Sequence, residues 1–362
     1  MKIDIITLHR VFNYGSVLQT YATQKVFSDM GYDVKVIDYI PRNWQISKRM
    51  FLKSSVKRNF LKDVIYRIFR GVSIIIKSRN FGGFLKRNLN LTKKYMSFEK
   101  LQKNPPLADV YCTGSDQVWN TDYCGVDKAF FLRFAPKGAK RIAFAASFGM
   151  TELPDDQRSV ISEYLTDYDS ISLRENSAVD LVNSLGIDAI EIIDPTLQIS
   201  GDEWRKLASK RLVKEKYLIL MLLYSEDNNA TEIARKIADE KGLKLIKISW
   251  DLKKPPLVDK LFTHRPPDEF LSLFYHADYV VTNSFHGLAF SINFGKQFTI
   301  CKRNEYNSRI ESLLSLTGLE DRMVDSTLDG VDYNAKIDYE SVNEVLERER
   351  QKAKNFIVES LK

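Results

Sequence analysis

Short runs of aliphatic and β-branched residues recur along this chain, each followed by a polar turn and then by apolar residues at helical spacing. That alternation constrains the fold more than any other feature. Strands interleaved with helices run mainly parallel and are covered on both faces. In the first half the runs are KIDIITL, DVKVIDY, ADVYCT, RIAFAAS, SISL and IEII; in the second they are YLILMLLY, LKLIKIS, DYVVT and QFTIC. Between them lie helical patterns such as SVLQTYATQKVFSDM, with Ser16 as its predicted cap and Gly31 as its stop. The polar stretch from Gln198 to Lys216 separates the halves. The pattern predicts an α/β protein of two Rossmann-like lobes with the cleft between them. The expected boundaries are an N-terminal domain over 1–200 with a basic helical insertion at 42–103, a C-terminal domain over 201–335, and a terminal helix over 336–362 packing back across the lobe junction.

Charge is unevenly spread. The net charge is +7, yet the segment from Arg42 to Lys103 holds seventeen Lys and Arg against Asp63 and Glu99, which leaves the rest of the chain at −8. Apolar residues at helical spacing accompany those cations. The segment suits peripheral contact with an anionic membrane or with lipid-linked phosphates, and it equally suits a solvated helical insertion. No finger, RNP-like or basic-zipper pattern is present, so nucleic acid is not an expected partner. No apolar run approaches the roughly 18 to 20 residues of a membrane span, and the N-terminus reads as a first strand and not as a signal peptide. Cys112, Cys124 and Cys301 lack metal-ligand spacing, which points to a reducing, cytoplasmic setting without a structural metal.

The polar clusters at strand ends carry the candidate chemistry, because open α/β sheets bind ligands outside those ends. In VVTNSFHGLAF, Asn283 or Ser284 caps a helix, His286 sits in its first turn, and Gly287 permits a close approach. Helix N-termini attract anions, and a histidine there either binds one, passes a proton, or bonds a nearby carbonyl structurally. In GSDQVWN, Ser115 and Gln117 flank Asp116, which serves as acid, base or cap, and Trp119 offers a wall for a sugar ring. Asn13, Tyr14 and Gly15 form a loop before a helix, without the spacing of a nucleotide-binding loop. Arg174 and Glu175 stand at another strand end, and Arg309 opens a later helix. Each arginine fits bidentate recognition of phosphate or carboxylate, or a structural ion pair. No hydrolase triad, HExxH motif or acidic metal cluster occurs.

Six stretches together resemble the polysaccharide pyruvyl transferase family: NYGSVLQTYATQ, TGSDQVWN, SLRENSA, IIDPTL, VTNSFHGLAFSINFGKQF and SRIESLLSLTGL. They occur in family order and span nearly the whole chain outside the basic insertion. The resemblance implies a GT-B-like fold. It also implies transfer of a pyruvyl group from phosphoenolpyruvate to a hexose of a cell-surface glycan, such as a capsule or exopolysaccharide, or of its lipid-linked precursor. The products are a ketal and phosphate, with phosphoenolpyruvate as co-substrate and no metal or further cofactor.

In that light Arg174, Asn283, Ser284, His286, Gly287 and Arg309 are expected to bind the donor. His286, Asp116 and Glu175 are expected to supply acid and base, and Asn13, Tyr14, Gly15, Ser115, Gln117 and Trp119 to meet the acceptor. Some members carry arginine where this chain has Ser284. Arg309, Arg303 or Lys302 is then expected to supply the missing cation, or donor specificity differs. Two alternatives stand beside this expectation: a glycosyltransferase using a nucleotide sugar, and a non-catalytic glycan-binding member. The implied location is cytoplasmic, at the inner face of the membrane if the basic segment binds lipid.

Overall fold

A computed structural model of the chain describes residues 1–41, 60–223, 228–303, 307–325 and 332–362. The first part of the basic insertion, 42–59, lies outside the described residues. Two six-stranded sheets, parallel throughout, form the two lobes. The first contains β1 (Lys2–Ile6), β2 (Asp33–Val36), β3 (Val110–Thr113), β4 (Lys140–Ala146), β5 (Ser170–Leu173) and β6 (Ile190–Glu191), ordered β2-β1-β3-β4-β5-β6. The second contains β7 (Tyr217–Met221), β8 (Lys244–Ser249), β9 (Lys260–Thr263), β10 (Tyr279–Thr282), β11 (Gln297–Cys301) and β12 (Met323–Val324), ordered β12-β11-β10-β7-β8-β9. Central strands β3, β7 and β10 are buried at every position, as strands covered on both faces must be. The edge strands β9 and β12 escape sequence pattern, being short and only partly apolar.

Strand order reverses direction between β1 and β3 in the first sheet and between β7 and β10 in the second. In doubly wound sheets, helices leave to opposite faces at such a point and a crevice opens at the strands' carboxyl ends. Both crevices open toward the same space between the lobes.

The helix Tyr14–Asp29 begins two residues before the predicted Ser16 cap. Asn13 is the cap, its Oδ1 accepting from the backbone N–H groups of Gly15 at 2.8 Å and Ser16 at 3.4 Å. Twelve of its sixteen residues are buried because it lies between the lobes. Tyr14 stacks on Phe270 and Trp250, with ring centroids 4.3 and 5.0 Å away. Behind it, the short helix Pro195–Gln198 meets the second lobe. Thr196 O accepts from Trp204 Nε1 at 2.9 Å and from Asn293 Nδ2 at 2.7 Å. Trp204 is fully buried, and burial of a side chain that large contributes roughly 2–3 kcal/mol. One apolar cluster therefore runs from Ile3 and Ile5 of β1 through this junction to Ile219 of β7 and Val280 of β10.

The helix Tyr339–Ser360 touches both lobes. Tyr339 OH donates to Ser291 O at 3.4 Å, Arg350 Nε to Leu197 O at 2.9 Å, and the Phe356 ring lies 6.3 Å from that of Phe144 in β4. The helix Phe60–Asn88 is held to the second lobe by Ser73 Oγ, 2.7 Å from His264 Nε2, and by Asn80 Nδ2, which donates to His264 O at 2.6 Å. Its Val72, Ile75 and Ile76 remain exposed. Among the described residues no helix is long and apolar enough to cross a membrane.

Candidate active site

A cavity of about 360 Å³ occupies the space onto which both strand-order reversals open. The first lobe lines it with Leu8, Val11, Asn13, Asp116 and Gln117, and the second with Leu223, Ser284, Phe285, His286, Arg303 and Arg309. Ser284 caps the helix Phe285–Asn293, its Oγ accepting from Gly287 N at 3.4 Å. The first turn of that helix, with its outward N–H groups and positive dipole end, borders the cavity. Gly287 is needed for a protein contact: a Cβ there would lie 2.3 Å from Thr282 Oγ1. That hydroxyl donates to Met221 O at 2.6 Å and accepts from Ser284 N at 3.1 Å, fixing the turn to β7.

Asp194 organises the cavity floor. Its Oδ2 accepts from Arg174 Nη1 at 2.8 Å and lies 3.8 Å from His286 Nε2, while its Oδ1 accepts from Thr196 N and Oγ1 at 2.8 and 2.6 Å. Burial alone would raise the Asp194 pKa; the Arg174 charge leads the interactions that hold it below the usual carboxylate range. Around Arg174 stand two more carboxylates, Asp116 with Oδ1 3.9 Å from Nη2 and Glu175 with Oε2 3.7 Å from Nε. Its guanidinium carbon also lies 5.3 Å from the Phe285 ring centroid, and that of Arg309 lies 5.9 Å from the same centroid. Burial, and then the repulsion of Arg174, lowers the pKa of Arg309. Both arginines nonetheless stay cationic at neutral pH.

Five buried polar atoms in this cluster have no hydrogen-bond partner among the described residues: Asp116 Oδ2, Arg174 Nε and Nη2, Glu175 Oε2 and His286 Nε2. Such atoms are rare in folded proteins and costly, at about 1–3 kcal/mol each. Their concentration in one place, beside a cavity, suits a polar ligand. Asp116 adds backbone strain, with φ of 82°, a conformation that clusters at functional sites. His286 is pushed down to about 4 by burial, against the opposing pull of Asp194, so its imidazole is neutral at pH 7.

Among the expected residues, Asn13, Asp116, Gln117, Ser284, His286 and Arg309 share the cavity wall, together with Arg303. Gly15 is placed behind His286, in contact with its ring. Several expectations need correction. Trp119 offers no wall to a sugar: it is fully buried, stacks on Phe131 at 5.6 Å, and donates from Nε1 to Phe130 O at 3.0 Å. Tyr14 is spent on the lobe junction, its OH donating to Arg265 O at 2.9 Å. Ser115 is fully buried, and Asn283 accepts from Leu223 N at 2.8 Å. The Arg174 side chain is enclosed beneath the cavity, and Glu175 is engaged by Ser147 Oγ at 2.7 Å and Gly149 N at 3.1 Å. Lys302 is drawn instead toward Glu311, 3.7 Å away. Sequence reasoning gave Asp194 no role, although it stands before proline at a strand end and within the family-like stretch IIDPTL.

The fold is that of a two-lobed α/β protein of the GT-B kind, with a cleft at the facing strand ends. The family model for polysaccharide pyruvyl transferase matches residues 13–305, and the chain belongs to that family. In overall fold the chain is similar to UDP-N-acetylglucosamine 2-epimerase from Rickettsia bellii, with a TM-score of 0.52 at 11% identity over 99% of this chain and 96% of that one. UDP-GlcNAc 2-epimerase from Neisseria meningitidis, bound to UDP-GlcNAc, gives 0.49 at 11% identity over 100% and 99% of the two chains. The glycosyltransferase SnogD from Streptomyces nogalater gives 0.44 at 11% identity over 98% and 95%. No curated protein matches the chain in sequence.

Proposed function

We propose that the protein transfers the pyruvyl group of phosphoenolpyruvate to two hydroxyls of one hexose in a cell-surface polysaccharide or its lipid-linked precursor, giving a cyclic ketal and phosphate. The observation that carries this is the cluster of five unpartnered buried polar atoms beside a cavity bearing Arg303, Arg309 and a helix N-terminus. Phosphoenolpyruvate brings a phosphate and a carboxylate within three carbons. Two arginines and N–H groups converging on one small cavity suit such a ligand.

In this proposal a proton adds to the methylene carbon, the central carbon takes on oxocarbenium character, and the first sugar hydroxyl adds there with loss of its proton. The C–O bond to phosphate then breaks, and the second hydroxyl closes the ring as it too gives up a proton. Of the two hydroxyl protons, one balances the new C–H bond and the other leaves on phosphate. Asp116, on the wall with a free Oδ2, accepts a hydroxyl proton. His286 rests neutral, and an adjacent donor anion raises its pKa so that it can carry a proton. Arg303 and Arg309 hold the donor, and Arg174, beneath the floor, positions Asp194 against His286 and supplies positive field. No step is routed through a cofactor.

The helix Phe60–Asn88 fits this proposal. Exposed Val72, Ile75 and Ile76 lie at one-turn spacing, and Arg79, Lys86 and Arg87 on the same helix are exposed. Such a face suits the inner surface of an anionic membrane carrying a lipid-linked acceptor.

The test is to measure melting with phosphoenolpyruvate or UDP-hexose alone, then phosphate release on adding methyl hexosides. A melting rise with phosphoenolpyruvate and acceptor-dependent phosphate are expected. A rise only with the nucleotide sugar would replace the proposal with glycosyl transfer. Donor binding without phosphate release from any acceptor would leave a binding protein.

A further inference from the structure

A second cavity, of about 480 Å³, adjoins the first. Tyr39, Ser97, Phe98, Glu99, Thr121, Asp122, Tyr123 and Asp127 are among its walls, and Tyr123 is common to both cavities. Each volume falls in the range of about 300 to 1,000 Å³ typical of small-molecule sites.

The two cavities differ sharply in charge. The first carries Arg303 and Arg309 against Asp116. The second carries Glu99, Asp122 and Asp127, and among the described residues that line it none is Lys or Arg. A phosphate or carboxylate entering it would meet like charge, so an anionic donor is kept in the first cavity. Its walls bring carboxylates and hydroxyls together with aromatic faces. The Tyr123 side chain is half exposed, and Phe98 is partly so. Asp127 is fixed in place, its Oδ2 accepting from Tyr39 OH at 2.8 Å and its Oδ1 from Ala129 N at 3.0 Å. Carboxylates accept hydrogen bonds from sugar hydroxyls, and an aromatic ring covers the apolar face of a pyranose.

We infer that this second cavity holds the neutral hexose acceptor, with Tyr123 as the platform over which the sugar reaches from the acidic cavity into the cationic one. The inference rests on the pyruvyl-transfer proposal for its donor. It adds a subsite, formed by Phe98, Asp122 and Tyr123, and a ligand class: a pyranose without phosphate or carboxylate on the ring held there.

The test separates the two claims. Saturation-transfer NMR with methyl galactopyranoside, methyl glucopyranoside and methyl mannopyranoside reads sugar binding without turnover, on the full-length protein and on the Tyr123→Ala and Asp122→Lys variants. The wild type should bind at least one glycoside, and each folded variant should weaken it by about tenfold or more. Phe98→Ala and Asp122→Lys, which alter only the second cavity, should keep the wild-type melting rise with phosphoenolpyruvate. Failure of the wild type to bind any of the three glycosides would overturn the inference. So would a folded Tyr123→Ala or Asp122→Lys variant that binds as the wild type does. Absence of any response to phosphoenolpyruvate would sink the donor proposal and leave the sugar result readable.

Discussion

Gly15 and His286 touch across the lobe junction: a Cβ at position 15 would lie 1.9 Å from the Nδ1 of the imidazole. The absence of a side chain on one lobe thus sets the position of the candidate proton carrier on the other. Gly15→Ala should force the ring from its place, with destabilisation of about 1–3 kcal/mol, as for other overpacked sites. The phosphoenolpyruvate-induced melting rise should disappear as well. Removing the ring should relieve the clash, so the double variant Gly15→Ala with His286→Ala should lose less stability than the two single losses added together. Additive losses in urea unfolding would show that the contact is not rigid.

The Arg174 and Asp194 pair is buried on both sides. Arg174→Gln leaves Asp194 as a buried carboxylate without its cation, and should cost about 3–5 kcal/mol. Arg174→Gln combined with Asp194→Asn should recover part of that loss, since the Asp194 charge is then removed as well, while Asp116 and Glu175 remain without the cation. Because the pKa of Asp194 is depressed in the folded protein, its stabilisation is present at neutral pH and is lost as pH falls below about 4. Chemical unfolding of the two variants and the wild type at pH 7 and pH 3.5 checks both statements.

For His286 the sign is the same and the window different. Its pKa is lowered to about 4 on folding, so between about 6.5 and 4 the unfolded chain binds more protons than the folded one. Stability should fall as pH drops through that window, and His286→Asn should flatten the slope. In histidine NMR titrations the ligand-free imidazole should titrate well below 6.5, and phosphoenolpyruvate should move it upward. A ligand-free value near 6.5 would remove the neutral resting state.

The exposed patch on the helix Phe60–Asn88 predicts co-sedimentation with phosphatidylglycerol-containing vesicles, weakening as salt rises. Ile75→Asp should reduce the bound fraction several-fold without changing melting, because the side chain is 59% exposed. Equal binding to neutral vesicles would deny the electrostatic part.

Strand and helix alternation made the sheets legible in sequence, since central strands such as β7 and β10 are buried on both faces and read as continuous apolar runs. The turn 283–287 was legible as part of the cleft wall for the same reason: a capped helix following a buried strand points at the crevice. What sequence could not reveal is which side chains the junction would consume. Tyr14 and Trp119 look alike as sugar platforms, yet both are taken up by apolar packing, while Tyr123, four residues past Trp119, is half exposed. Asp194 is invisible for a related cause, because its importance comes from Arg174 and His286, residues 20 and 92 positions away.

The apolar cluster that runs from β1 through Trp204 to β10 leaves the chain without a seam. Cutting it near residue 200 would expose, on each fragment, the greasy surface that the other now covers, and neither half should remain soluble alone. The two facing walls of the cleft are therefore brought together by the same collapse that folds the chain.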